Sequence, residues 1–472
     1  MRAKTPWLLG LLLLLLMAGC GGNRGLFGNG ASTSPSGQGG AVTLTVSDRA
    51  TCGGGAPYTG VWLSVADVQA SPNASAPAGD SSFVDLTPQL KSAPMQINLT
   101  GSAAECTLAS LATAASAAAQ NYAQVRIFLA SDAQAASIAN NVCGAYANCA
   151  RTASGIQTIA VGTAATQGIA ISGAALAGGF AVTSGATVTV NLNFDVCAAL
   201  AVSPSGALSL NPQLSAGPIT ASADTISGTL QDSATGSAVT GPVLVALEQD
   251  QSGAGGPDRV LMQTFTNASG SFLFCPVPPG KYEIVAGAVS AGGGQYSPTA
   301  VLQVPNGASL STPPLPLYAG NGLNAQAAAI SATLTSAAAG GAPTPVSVLL
   351  TLQEQITPAG AQTYSLAIPL PTQTSAVLAT TTATGCSGGS ACAGPVTLEA
   401  PAMLVSFAAY QPGTLQFLNN TNSPAAYLLD ARAYAAGGGG APACTPAEVT
   451  VNPGQISPNA HLTAPTLAFT GC

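Results

Sequence analysis

The sequence predicts an all-β protein made of tandem β-sandwich domains, preceded by a cleaved signal peptide and a flexible tether. Short runs of alternating or β-branched residues recur from residue 41 to the end of the 472-residue chain, as expected for strands. Clusters of Gly, Pro, Asn and Ser separate these runs and are typical of turns. Because 47% of the residues are hydrophobic, the chain can bury several cores.

Charged residues are scarce, which excludes several classes of function. The 10 Lys or Arg and 17 Asp or Glu amount to 6% of the chain, against about 25% in average proteins. Nucleic-acid binding needs clustered cations, and the basic residues here are scattered, so we expect no nucleic-acid partner. The single histidine, His461, gives little support for acid–base catalysis. We therefore expect a protein that is not an enzyme and has no cofactor or metal.

The amino terminus has the pattern of a signal peptide, which we place at residues 1–19. Arg2 and Lys4 precede an apolar run over residues 7–17, which is shorter than the roughly 20 residues that span a bilayer. A transmembrane anchor is therefore the weaker interpretation. An ordinary secretory signal followed by an incidental cysteine is the other alternative.

The residues Leu16, Met17, Ala18 and Gly19, followed by Cys20, resemble the lipobox of bacterial lipoproteins. The resemblance implies thioether attachment of diacylglycerol to Cys20, cleavage before it, and acylation of the new amino terminus, for example with palmitate. The membrane would then be a partner through the lipid anchor. Gly21 after the cysteine favours, by resemblance, the outer membrane of the cell envelope. Residues 20–40 form a Gly/Ser tether of about 25 Å.

Besides Cys20 the chain has ten further cysteines, for which an oxidising compartment makes disulfides the expected state. We predict four pairings: Cys143–Cys149, Cys386–Cys392, Cys52–Cys106 and Cys444–Cys472. The first two would close short loops, the third would close the first domain, and the fourth would tie down the carboxyl terminus. Cys197 and Cys275 then either bridge two domains or stay free. The alternative is a zinc site. Such a site requires close Cys-x-x-Cys pairs or histidines beside the cysteines, and the sequence contains neither.

Residues 41–214 form the first predicted domain, a β-rich one. The alanine-rich residues 107–122 are its exception, since alanine there favours a short helix. Four stretches resemble a family of domains of unknown function that stand at the front of bacterial lipoproteins: VTLTVSD from Val42, the strand from Val61 to Val68, YAQVRI from Tyr122, and VNLNFD from Val190 followed by Leu208 to Pro212. The resemblance implies no activity.

Residues 224–318 form the second predicted domain, with five strand-like runs joined by explicit turns. Phe272 and Phe274 share one strand face, and Tyr282 and Ile284 share another. The pattern TNxxGxFxF followed by PGxY resembles the carboxypeptidase-regulatory-like module. That resemblance implies an Ig-like, transthyretin-like β-sandwich that serves as scaffold or binding unit. After a Pro-rich linker, residues 325–472 read as a third β-sandwich-like domain.

Few residues of the sequence are candidates for catalysis or ligand binding. No G-x-S-x-G nucleophile elbow occurs, and His461 lies in a Pro-flanked stretch typical of a surface loop. Five acids near loop ends of the second domain could in principle bind a calcium ion: Asp224, Asp232, Glu248, Asp250 and Asp258. They lack the every-second-residue spacing of a calcium loop, so we interpret them as solvated turn residues.

Three large side chains lie within strand-like runs. Arg126 and Arg432 sit in apolar strands, where a cation needs a partner or burial of its stem alone. Trp62 alternates with Val61 and Leu63. We interpret Trp62 as a core residue rather than a sugar-stacking platform.

These observations predict a non-catalytic, lipid-anchored cell-envelope protein that acts as a surface scaffold or adhesion-type module. The alternative is a carbohydrate-binding envelope lipoprotein that assists polysaccharide capture. The expected partners are the membrane, through the lipid anchor, and a surface protein or polysaccharide.

Overall fold

The computed structural model describes the chain over residues 39–47, 58–100, 106, 109–194, 200–202, 206–210, 214–219, 225–250, 258–322, 326–337, 346–358, 362–370, 379–383, 391–418, 425–435, 444 and 448–470. Over these residues the fold is all-β, which confirms the predicted class. Four short 3-10 helices have both ends within the described ranges: Pro88–Lys91, Asp132–Ser137, Gly162–Ala165 and Gly173–Leu176.

The first segment contains fifteen strands: β1 Gly40–Ser47, β2 Tyr58–Ser71, β3 Val84–Asp85, β4 Met95–Asn98, β5 Ala109–Ala117, β6 Asn121–Tyr122, β7 Gln124–Leu129, β8 Cys149–Thr152, β9 Gly155–Ala160, β10 Ile169–Ser172, β11 Phe180–Ala181, β12 Thr187–Phe194, β13 Leu200–Val202, β14 Leu208–Leu210 and β15 Leu214–Ile219. A four-stranded sheet has the order β15-β12-β1-β5, and a nine-stranded sheet runs β10-β7-β2-β8-β9-β14-β13 with β3 and β4 on β2. One hydrophobic core contains buried residues of both sheets.

The alanine-rich stretch that favours a helix in the sequence is a strand. Residues Ala109–Ala117 form β5, which pairs antiparallel with β1. The small side chains let β5 lie along this edge, where Leu111 and Ala112 are buried in the core. Tertiary pairing thus outweighs the helix propensity of alanine, which is only a weak local preference.

The second segment contains eight strands: β16 Ile226–Asp232, β17 Val243–Gln249, β18 Arg259–Phe265, β19 Ser271–Phe274, β20 Lys281–Ala288, β21 Tyr296–Ser297, β22 Thr299–Pro305 and β23 Ser309–Ala319. They form a sheet β19-β16-β23-β21 and a sheet β18-β17-β20-β22 that is extended by β29, a strand of the third segment. Phe272 and Phe274 both lie in the core of this segment, with ring centroids 5.7 Å apart, which confirms their shared face.

The third segment contains ten strands: β24 Ala327–Ala337, β25 Val346–Ile356, β26 Tyr364–Ala367, β27 Ala379–Ala383, β28 Ala391–Pro401, β29 Ser406–Ala409, β30 Ala425–Ala435, β31 Glu448–Ile456, β32 His461–Thr463 and β33 Leu467–Thr470. One sheet has the order β28-β24-β32 with β33 on β24, and the other has the order β26-β25-β30-β31 with β27 on β25. Tyr427 is fully buried in this core and its hydroxyl donates to Pro401 O at 2.8 Å.

The sheet that contains β17 and β20 is buried on both of its faces, and for this reason its strands are almost continuously buried. One face packs into the core of the second segment, with Tyr282 and Ile284. On the other face, Val285, Ala300 and Leu302 belong to the core of the third segment. The strand β29 also pairs in parallel with β22. The second segment is therefore joined to the third by side-chain packing and by backbone hydrogen bonds.

Candidate functional site

Two disulfides fix loops in the described part of the chain, and one of them confirms a prediction. Cys143 and Cys149 are bonded, with Cα atoms 5.6 Å apart. The loop that they close is fastened from both sides: Asn141 Oδ1 accepts from the Cys143 N–H at 2.9 Å, and Gln96 Oε1 accepts from the Val142 N–H at 2.8 Å. The short spacing in the sequence was sufficient to predict this bond.

The second disulfide corrects a prediction. Cys106 is bonded to Cys275, 169 residues later in the chain, and not to Cys52. The Cα atoms of the pair are 5.1 Å apart, and Cys275 is fully buried directly after β19. The bond joins the first segment to the second. Sequence spacing could not reveal it, because packing of the two segments brings the partners together.

The remaining cysteine predictions stay predictions. Cys444 is disulfide-bonded, while its predicted partner Cys472 lies outside the described residues. Also outside them are Cys20, Cys52, Cys197 and Cys386, together with the side chain of Cys392.

The other singled-out residues lie apart from one another. His461 is exposed, as predicted, but it begins β32 instead of lying in a loop. Trp62 is half-buried and not a core residue, because period-two alternation turns Val61 and Leu63 inward and Trp62 outward. The Arg151 guanidinium covers its ring at 5.1 Å from the centroid, a cation–π contact.

Both strand arginines have partners. Arg126 donates from Nη1 to Gln167 O at 2.6 Å and from Nη2 to Ala76 O at 2.8 Å. Desolvation by burial lowers the pKa of Arg126. Arg432 pairs with Asp430 and Glu448 at 3.2 and 3.3 Å.

The acids of the second segment divide into two groups. Asp232 is the last residue of β16 and holds the turn that follows it: its Oδ1 accepts from the Ala234 N–H at 2.8 Å, and its Oδ2 accepts from the Tyr296 hydroxyl at 2.8 Å. Glu248 and Asp258 are not solvated, since their exposed fractions are 0% and 2%. The third segment covers the face of β17 on which Glu248 lies, and the sequence of the second segment alone does not reveal this cover. Asp224 lies outside the described residues.

Glu248 and its neighbours form a cluster that we name the carboxyl seam, consisting of Glu248, Glu283, Asp250, Asp258 and the facing residues 362–370. Glu248 and Glu283 are directly opposite in the antiparallel pair of β17 and β20, and both are fully buried. Glu248 Oε2 accepts from the Ala367 N–H at 2.9 Å, and the Asp258 N–H donates to Ser365 O at 3.0 Å. Sequence analysis missed Glu283. Its place in an otherwise apolar strand was the only available signal.

No metal centre accompanies this cluster. Across the described ranges, no group of three or more His, Cys, Asp or Glu side chains is arranged to hold a metal ion. The arrangement of the described members of the five acids therefore does not support a calcium site.

A small cleft with an internal volume of about 20 Å³ lies where the first segment meets the second. Its polar lining is neutral: Asn191, Asn193, Ser215 and Gln249. Asn193 Nδ2 donates to Leu261 O at 3.0 Å across the junction, and its Oδ1 accepts from the Ser47 hydroxyl at 3.1 Å. Gln249 Oε1 is shielded from solvent and accepts no hydrogen bond in the described part of the chain. Met262 and Tyr282 contribute to the apolar part of the lining.

No helix in the described portion of the chain has both the length and the hydropathy needed to cross a lipid bilayer. No curated protein matches the sequence.

Several solved structures are similar to this chain. One is the Bacillus anthracis TIE protein, at 8% identity and a TM-score of 0.16, covering 92% of this chain and 50% of its own length. The chain thus spans half the length of that protein. Another is GBS52, the minor pilin of Streptococcus agalactiae, at 12% identity and a TM-score of 0.15, covering 52% of this chain and 95% of its own. A third is the Corynebacterium diphtheriae major pilin SpaA, at 9% identity and a TM-score of 0.16, covering 91% and 99%.

The first segment also matches a sequence family. The match runs over residues 39–212, which span the described strands from β1 to β14. It agrees with the resemblance carried by the strands around Val42, Tyr122 and Val190. The first segment is therefore a DUF4382 domain, a domain of unknown function.

Proposed function

We propose that the protein is a non-catalytic, lipid-anchored scaffold or adhesion-type module of the cell envelope. The observation that carries the proposal is the Cys106–Cys275 bond, which joins two β-rich segments covalently. A chain that must hold a binding surface away from a membrane benefits from segments that cannot bend apart.

Further contacts support a rigid connection. Asn193 of the first segment hydrogen-bonds to the Leu261 carbonyl of the second. The Ser406 N–H of the third segment donates to Pro298 O at 2.8 Å, at the point where β29 joins the sheet. Backbone pairing of this kind resists shear along the strands, because several hydrogen bonds must break together.

The anchor is tested by fractionation of cells that express the full chain or its Cys20→Ser variant. We expect the wild type in the membrane fraction and the variant released from it, since a thioether lipid needs the thiol. Equal membrane partitioning of the two would contradict the anchor.

The scaffold is tested with beads that carry the mature chain. We expect the beads to bind whole cells or envelope protein, and the binding to weaken when Cys106 and Cys275 are both changed to Ala. Cys143→Ala with Cys149→Ala is the matched control, because that bond lies within one segment. Beads that bind no cell or protein surface, or equal effects of the two pairs, would contradict the proposal.

Carbohydrate binding is a second candidate, and the neutral cleft between the first and second segments favours it. Amide and hydroxyl groups beside an apolar wall suit an uncharged, hydroxylated ligand, and clefts between domains are common ligand sites. In a pull-down on insoluble polysaccharide we expect retention that Gln249→Ala reduces. Gln411→Ala, at an exposed position, is the control. Equal retention of the two variants would remove the cleft as the site.

A further inference from the structure

We propose that the carboxyl seam is a pH-responsive joint, closed while Glu248 and Glu283 are uncharged and weakened as they ionise. The proposal concerns how the second and third segments hold together. It stands whether the protein is a scaffold or binds a saccharide.

The geometry leaves the two carboxyl groups without compensation for negative charge. Glu248 and Glu283 face each other across neighbouring strands. Glu248 Oε1 and Glu283 Oε2 are both shielded from solvent and accept no hydrogen bond within the described part of the chain. Among the described residues, no ion pair reaches either group. Two adjacent buried carboxylates in this state would repel each other and would lack the hydration that they have in water.

The surrounding elements add negative charge. Asp258 lies at the start of β18, and Asp250 directly follows β17 and binds Gln362 of the third segment. On β22, Gln303 Nε2 lies 3.4 Å from Glu283 Oε1.

Tyr364 is the titratable group that β26 contributes near Glu283 and Asp250. Two cations belong to the same strands. Lys281 of β20 is exposed. Arg259 of β18 pairs in register with Gln249, the neighbour of Glu248, and sends Nη2 to Leu214 O at 3.4 Å.

Burial and neighbouring acids act in the same direction on both groups. Desolvation by burial, together with the charge of Asp258, raises the pKa of Glu283 to about 8. The same two causes hold the pKa of Glu248 well above its ordinary value, although the hydrogen bond from the Ala367 amide opposes them. Both groups are therefore protonated in the closed seam at neutral pH.

The direction of the pH effect follows from proton binding. The closed seam holds protons that the solvated, open seam releases at an ordinary glutamate pKa of about 4.3. Between about pH 4 and about pH 8 the closed state thus binds more protons than the open state, so rising pH favours opening. Opening would separate Ala367 from Glu248 and withdraw residues 362–370 from the sheet.

The experiment is hydrogen–deuterium exchange of the intact mature chain, with protection factors for the amides of Ala367 and Asp258, which donate across the seam, between about pH 5 and about pH 9. Protection factors remove the intrinsic effect of hydroxide on exchange. We expect protection to fall at least tenfold across this range. In the Glu248→Gln/Glu283→Gln variant the amides stay neutral and can still accept from Ala367, so the fall in protection should shrink to what other groups contribute, such as Glu354, whose pKa burial raises to about 8.

Glu399→Gln, at an exposed position of β28, is the control and should retain the wild-type slope. Glu283→Gln alone should retain part of the wild-type slope of protection against pH. This single variant provides the test if the double variant does not fold. A flat wild-type profile, or equal slopes in wild type and double variant, would overturn the proposal. So would protection at high pH that calcium chloride restores and a chelator removes, because a cation would then hold the seam.

Discussion

The second segment is fastened to its neighbours on two sides by different chemistry. Toward the first segment the contacts are the Cys106–Cys275 bond, the Asn193 amide to the Leu261 carbonyl, and the Arg259 guanidinium to the Leu214 carbonyl. Toward the third segment the contacts are apolar packing and the buried acids Glu248 and Glu283. This second junction contains buried carboxyl groups of raised pKa, Glu248 and Glu283, and Glu354 beside Val405, the residue directly before β29, is a third.

This difference separates what each junction responds to. Reduction should loosen the first junction and leave the second, because the Cys106–Cys275 bond joins the first and second segments and not the second and third. Alkaline pH should loosen the second and leave the first, because amide groups do not titrate. Substitutions can therefore test the two junctions separately.

The largest effect is expected from removal of the long-range disulfide. Cys106→Ala with Cys275→Ala should lower the free energy of unfolding by about 2–5 kcal/mol, because the bond closes a loop of 169 residues in the unfolded chain. Alanine avoids placing a hydroxyl at the buried position of Cys275. The measurement is the midpoint of urea denaturation under non-reducing conditions.

The short disulfide is the matched control for that prediction. Cys143 and Cys149 are six residues apart, so their replacement by Ala should cost about 3 kcal/mol less than loss of the long-range bond on chain-entropy grounds. Equal losses for the two pairs would show that the long-range bond does not constrain the first junction. The pH dependence of stability should be the same in both variants.

The sequence predicted contacts within a segment better than contacts between segments. Phe272 and Phe274 share a core face as period-two alternation requires, and the close spacing of Cys143 and Cys149 predicted their bond. By contrast, the partner of Cys106 and the burial of Glu248 depend on which segment packs against which sheet face. Alternation cannot show this, because it identifies a buried face without identifying what covers it.

Trp62 and β5 show a similar limit at the local level. An aromatic residue in a strand does not lie in the core merely because of its type. Val61 and Leu63 point inward, so Trp62 between them points outward. The alanines of β5 had no strong preference of their own, and pairing with β1 determined their structure. In both cases the missing information was the position of a neighbouring element.

A smaller effect is expected from steric interference at the second junction. A Cβ atom at Gly287 would overlap the carbonyl oxygen of Pro369, so Gly287→Ala should force residues 362–370 away from the sheet at a cost of about 1–3 kcal/mol. Exchange protection of the Ala367 and Asp258 amides should fall at every pH. Gly292→Ala, where the nearest atom to an added Cβ is the Ser290 hydroxyl at 3.9 Å, is the control and should leave that protection unchanged.

Another acidic pair of the molecule shows what a cation changes. Lys91 Nζ lies 2.6 Å from Asp85 and 3.3 Å from the buried Asp67. Although desolvation by burial raises the pKa of Asp85, hydrogen bonds, including the one from Lys91, outweigh it and leave that pKa below the ordinary value. The carboxyl seam has the same crowding of acids without the lysine. A cation placed there should therefore weaken its response to pH.

Gln303→Lys places that cation, because the Gln303 side chain already reaches Glu283 and position 303 is half-buried. The ammonium group should lower the pKa of Glu283 from about 8 toward its ordinary range, since a neighbouring opposite charge favours the carboxylate. The variant then releases fewer protons when it unfolds above about pH 5. The decrease in its free energy of unfolding at alkaline pH should therefore be smaller than that of the wild type by about 1 kcal/mol. Thermal denaturation across pH measures this, with Gln303→Met as the uncharged control. If Met and Lys give the same pH profile, the carboxyl of Glu283 is not the group that titrates, and the contrast between the two junctions has another cause.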